Sequence, residues 1–210
     1  MYTTAMTLTE IYTKYQIPPN LIRHQLEVTA VGDYVCSHWN GPKIDKKLVT
    51  ETLLLHDMGN IIKFKRPFLE ELEKDAKYWE AVQDEYFQKY GNDVSRATSM
   101  IVSELGFDEV STILDEMISV WKEPERTVSW EARICELSDC CVTPRGVEGF
   151  EIRLQDLKDR YHQTESDPSV RYMRENLEVI RPHLTINPAK IAEVDFSEDI
   201  LNLEKYQFPL

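Results

Sequence analysis

Four residues of this chain have the side-chain types and the surroundings to hold a metal ion: His24, His56, Asp57 and Asp139. The run Leu53-Leu54-Leu55-His56-Asp57-Met58-Gly59-Asn60 puts an adjacent histidine and aspartate at the end of an apolar stretch. Burying an unpaired carboxylate is strongly unfavourable, so a group placed there is expected to be paired or to sit on a cation. Successive residues of a helix lie about 100° apart, so both side chains can reach one ion lodged against its side. His24 falls inside the stripe Leu21, His24, Val28, Val31, Val35 and His38, whose spacing alternates between three and four. Asp139 shares a helix face with Ala132 and Cys135. Two imidazoles and two carboxylates form a mixed N/O set that suits a divalent ion (Mn, Fe, Co, Ni, Zn or Mg) better than one that selects thiolates. Such a set leaves coordination positions open for water or substrate, and an ion held there can activate water for attack on phosphorus. Each residue also has a plainer reading. His24 alone fits a hydrogen-bonded core histidine, and Asp139 alone fits a partner for an arginine such as Arg133.

Several charged residues stand close to this set in the sequence. Arg23 precedes His24, and a guanidinium there can clamp a phosphate in a bidentate way. Lys63, Lys65 and Arg66 follow the His-Asp pair and could line the mouth of a site, although short basic runs in loops are commonly solvated surface. Glu27, Glu51, Glu70 and Glu71 are the candidate general acids or bases, and only geometry can choose among them. The aromatics Tyr78, Trp79, Tyr86, Phe87 and Tyr90 recur at helical spacing, which fits core packing, a homodimer interface or a stacked base.

The elements that must position these residues read as helices. Only seven glycines occur in 210 residues, and period-2 strand patterns are absent, so the chain is predicted to be all-α. Helices are expected over about 8–15, 19–39, 46–58, 68–90, 92–105, 108–121, 129–142, 149–161 and 169–180, with a short one near 189–194. Residues 1–180 are read as one helical domain and 181–210 as an appendage. The net charge of −13 argues against a general nucleic-acid binder, which would show a basic face. No apolar run approaches the roughly 18 residues needed to span a membrane, and the first ten residues lack the features of a signal peptide. Four cysteines without a C-x-x-C pair fit buried free thiols in a reducing cytoplasm.

The order His, then His-Asp within L-L-L-H-D-M-G, then a distal Asp in the segment Glu131 to Asp139, resembles the HD-domain superfamily of metal-dependent phosphohydrolases. The resemblance covers roughly residues 20–162. Pro144, Gly146 and the run Arg153 to Tyr161 are similar to a branch of small prokaryotic members. It implies an HD-type helical bundle with additional C-terminal helices, and His24, His56, Asp57 and Asp139 as metal ligands. The function expected is hydrolysis of a small phosphorylated compound such as a nucleotide, and the residues are read with Asp57 orienting the attacking water and Arg23 steadying the phosphate. Two-metal members carry further histidines between the His-Asp pair and the distal Asp; no histidine lies between Asp57 and Asp139, so one metal is expected. Asn60 stands where many members have a lysine, and Cys140 and Cys141 stand where that branch has basic residues. These departures leave open a catalytically silent module that binds a ligand or a protein partner in the same pocket.

Overall fold

A computed structural model describes residues 6–65, 76–119 and 127–208, and the fold is all-α. The helices are α1 (Leu8–Lys14), α2 (Pro19–Ser37), α3 (Lys46–Leu55), α4 (Ala76–Tyr90), α5 (Val94–Glu104), α6 (Asp108–Ser119), α7 (Trp130–Asp139), α8 (Phe150–Tyr161), α9 (Pro168–Ile180) and α10 (Ser197–Leu203). Strand pairing among the described residues is limited to two short antiparallel pairs. One joins β1 (Met6–Thr7) to β4 (Gln207–Phe208), and the other joins β2 (Val142–Thr143) to β3 (Gly146–Val147). No helix among the described residues is long and apolar enough to cross a membrane.

Three helices form the frame of the site. α2, α3 and α7 pack against one another, and each turns an apolar face inward. Val28, Val31 and Val35 of α2, Val49, Leu53 and Leu54 of α3, and Ile134 and Leu137 of α7 are almost wholly excluded from solvent. Side chains fix where two of these helices begin. The Asp45 carboxylate accepts from the Leu48 amide at 3.0 Å, and the Ser129 hydroxyl accepts from the Ala132 amide at 3.1 Å. Each satisfies one of the amides that a helix start leaves without a partner.

α3 ends earlier than its apolar pattern suggests. The expected helix over 46–58 stops at Leu55, with His56 as its cap and a turn over 56–59 before a 3₁₀ turn at Asn60–Lys63. His56 and Asp57 therefore lie on a tight turn rather than on the side of a helix. The reason is local: the His56 ring bonds the Leu53 carbonyl, and the Asn60 amide bonds the Asp57 carbonyl at 3.0 Å. The region expected to open a long helix at 68 lies partly outside the described residues, as does the end of the one expected to reach 121.

The segment expected as a C-terminal appendage is set into the same core. Phe208 pairs with Met6 across the β1–β4 ladder and is fully buried. Ile191, Phe196 and Leu203 are buried as well, and α10 packs on α2. Where the chain turns back, Thr185 bonds the His38 carbonyl at 2.9 Å, and His183 stacks with Trp39 and Trp130. All four cysteines are free and buried.

Phe208→Ala should therefore cost about 3–5 kcal/mol, the range for removing a buried phenyl ring. Urea denaturation checks this; a loss under about 1 kcal/mol would mean the tail is dispensable to the fold.

Candidate metal centre

His24, on α2, and Asp139, at the end of α7, meet the turn that carries His56 and Asp57. The ligand atoms of His24, His56 and Asp139 all lie within 4.8 Å of one another. His24 Nε2 is 3.1 Å from Asp139 Oδ1 and 3.6 Å from Asp57 Oδ2. His56 Nε2 is 3.9 Å from Asp57 Oδ1 and 3.9 Å from Asp139 Oδ1. Donors bound at about 2.1 Å to one ion are separated by about 3 Å when adjacent and just over 4 Å when opposite. The four measured separations fall across that interval. Asp57 joins through its contacts to both imidazoles.

The tautomer of His56 decides what this cluster can do. Its Nδ1 lies 2.6 Å from the Leu53 carbonyl oxygen, which can only accept, so Nδ1 carries the proton. His56 Nε2 is then directed at two carboxylates, and it is buried without a hydrogen-bond partner. Asp139 Oδ1 is likewise buried and unpartnered by hydrogen-bond geometry. Lone pairs converging in a half-buried space are an arrangement that a cation resolves, and a backbone carbonyl on the far ring nitrogen is the usual means of orienting a metal-binding imidazole. The donor set therefore fits a divalent ion.

The electrostatics reflect the same crowding. Burial alone would lower the His24 pKa, but contact with Asp139 and the charges of Asp139 and Asp57 outweigh it and raise it. For Asp139 burial pushes upward, but the His24 contact and the Arg153, His24 and His56 charges hold the carboxyl well below the usual range. Glu136, one turn before Asp139 on α7, moves the other way. Burial, reinforced by the Asp139 charge and opposed by Arg153, lifts it to about 8.

The turn is seated by packing as well as by hydrogen bonds. The Asp57 amide donates to Gln25 Oε1 at 3.3 Å, and the Gly59 amide donates to the Thr98 hydroxyl at 2.9 Å. A Cβ on Gly59 would stand 2.6 Å from the Val94 carbonyl oxygen and 2.9 Å from the Thr98 nitrogen. Both are backbone atoms of α5, so only glycine lets this turn lie so close.

The other residues marked from sequence fall elsewhere. Arg23 is 64% exposed; its Nε donates to Glu27 at 2.8 Å and its Nη2 to the Arg145 carbonyl at 3.4 Å. Lys63 and Lys65 are exposed, and Arg66, Glu70 and Glu71 lie outside the described residues. Glu51 is tied to Lys47 and Tyr206. Arg133 bonds Asn176 at 3.1 Å rather than Asp139. Trp79, Tyr86 and Tyr90 are buried in the core, with the Tyr86 hydroxyl on the Tyr15 carbonyl at 2.6 Å, while Phe87 is exposed. Cys140 and Cys141 are buried and supply no charge to the site.

One residue near the ligands enters the sequence reading only as the start of the run Arg153 to Tyr161, with no role at the site. Arg153, on α8, places Nη2 3.8 Å from Asp139 Oδ1 with its side chain only 11% exposed. The sequence did carry a signal for it. Arg153 sits in an apolar stripe between the buried Phe150 and Leu154, much as His24 sits between Leu21 and Val28.

Comparison with known proteins gives no match: no family model, no curated protein and no solved structure matches this chain.

Glu136 makes a pH prediction. Its folded pKa of about 8 exceeds the ordinary 4.5, so the folded state holds the proton more tightly. Stability is then lost as pH rises from about 4.5 through 8. In chelator, Glu136→Gln should remove that loss, so its melting temperature should gain on wild type from pH 5 to pH 8. Parallel curves would show that Glu136 is not buried as an acid.

Proposed function

We propose that the chain is a single-metal phosphohydrolase of the HD type that acts on a small phosphorylated compound, a nucleotide being the first class to test. The observation that carries this reading is the buried His56 Nε2, aimed at Asp57 and Asp139 with no protein partner. The order of motifs that resembles the HD superfamily supports it. A divalent ion held by His24, His56, Asp57 and Asp139 would supply Lewis acidity to phosphate and water. The protein's own part is positional. Leu53 fixes the His56 tautomer, Gln25 anchors the Asp57 backbone, and Gly59 seats the turn on α5. Asp57 has two oxygens facing two imidazoles, so one oxygen can serve the ion while the other accepts a hydrogen bond from the attacking water. All four ligands lie in a single cluster, and no histidine in the span between Asp57 and Asp139 could build a second imidazole site.

The second reading is a catalytically silent module that binds a small ligand or a protein partner in the same pocket. The pairing of Arg23 with Glu27 favours it, because it takes the guanidinium proposed to steady the phosphate out of play.

Protein purified without chelator should bind Mn, Co or Ni to a limit of one per chain. That ion should raise the melting temperature by mass action, EDTA should reverse the rise, and Asp57→Ala should abolish it. Phosphate release from a nucleotide panel with each metal should then follow a single-site metal curve. Metal uptake without turnover would select the silent module, and no uptake would remove both readings.

A further inference from the structure

Arg153 is the buried charge that the ligand set does not account for. It reaches the site through a specific piece of backbone. After Asp139 the chain forms the β2–β3 hairpin, and the Glu148 and Gly149 amides bond back to the Cys141 carbonyl at 3.0 and 2.9 Å. Gly149 caps α8 with φ of +82°, a conformation that glycine adopts without strain. The hairpin thus brings Arg153, in the first turn of α8, back to the end of α7, fourteen residues after the ligand it approaches.

A guanidinium has five N–H donors, and taking it out of water is costly unless they are used. At Arg153 they are mostly unused. Nη1 donates to Asp156 at 3.2 Å, but Nη2 is 3.8 Å from Asp139, beyond hydrogen-bond range, and Nε is buried with no partner. Asp156 is itself shared with the more exposed Arg160. A group present only to balance the Asp139 charge would be expected to bond it. This one stands beside the ligand with donors to spare, and a fork of N–H groups matches a phosphate oxyanion.

We propose that Arg153, rather than Arg23, binds the substrate phosphate beside the metal site; this rests on the metal reading above. The substrate class it selects is a phosphate with at least two non-bridging oxygens, able to meet the ion and the guanidinium together. Arg23 then has an outer role at the mouth, holding Glu27 and the Arg145 carbonyl of the hairpin.

The test titrates inorganic phosphate into the full-length, manganese-loaded protein by calorimetry, with manganese content measured separately on each variant. Arg153→Gln should weaken phosphate binding by about tenfold or more, as expected for loss of a charge-assisted bond. Arg153→Lys keeps the charge but loses the fork, and should weaken it severalfold, which covers the case where the glutamine variant fails to fold. Arg160→Gln, on the same Asp156, should leave the isotherm where wild type has it. A purely charge-balancing residue would change manganese affinity and melting temperature while phosphate affinity stayed within twofold, and that result overturns the proposal. Absence of phosphate binding by manganese-loaded wild type overturns it too. Failure to take up manganese at all brings down the metal reading and this inference with it, and is distinguished by the manganese measurement.

Discussion

The hydrogen bond from His56 Nδ1 to the Leu53 carbonyl is the constraint on which the rest of the site depends. It spends one ring nitrogen on the backbone and commits the other to a half-buried space shared with His24, Asp57 and Asp139. Apolar packing of α2, α3 and α7 brings these groups together, and it leaves His56 Nε2 and Asp139 Oδ1 buried without a hydrogen-bond partner. The arrangement costs free energy unless a cation offsets it, since buried polar groups without partners are expensive. The same bond ends α3 at Leu55, because the carbonyl it occupies is one of the last the helix would have used.

Around that bond the fold works as a set of supports. Gln25, next to His24 in sequence, carries the amide of Asp57 and so couples α2 to the turn. Gly59 presses the turn against α5 at a distance no other residue permits. The hairpin after Asp139 returns α8 to the site and with it a second layer of charge, Arg153 and Asp156. The C-terminal segment acts at the far end of α2, where His183, Trp39 and Trp130 stack and where α10 lies against the helix. Position at the site thus depends on contacts spread over most of the chain.

Much of this could be read in the sequence, and what could not has physical causes. The helices were legible because their apolar residues recur every three or four positions, and the four polar intruders in those stripes are the ones that converge. The end of α3 was not legible, since Met58 and Ile61 continue the apolar pattern that the His56 bond interrupts. Arg23 was expected to face a phosphate, yet Glu27 four residues on is the ordinary helical partner for it, and the pair forms. Arg153 has no role in the sequence reading because its approach to Asp139 depends on a hairpin whose strands are two residues long, too short to leave a periodic signal, although its place between Phe150 and Leu154 sets it apart. The tail read as an appendage because its contacts are with residues far away in sequence, which periodicity does not report.

The proposed site holds one divalent ion on both Nε2 atoms. Anomalous diffraction at the manganese edge from crystals of the manganese-loaded protein tests it most directly. A single peak is expected about 2.0–2.3 Å from His24 Nε2 and His56 Nε2, with Asp57 and Asp139 oxygens completing the protein ligands. Two peaks about 3.5–4 Å apart, or a peak away from either imidazole, would contradict it.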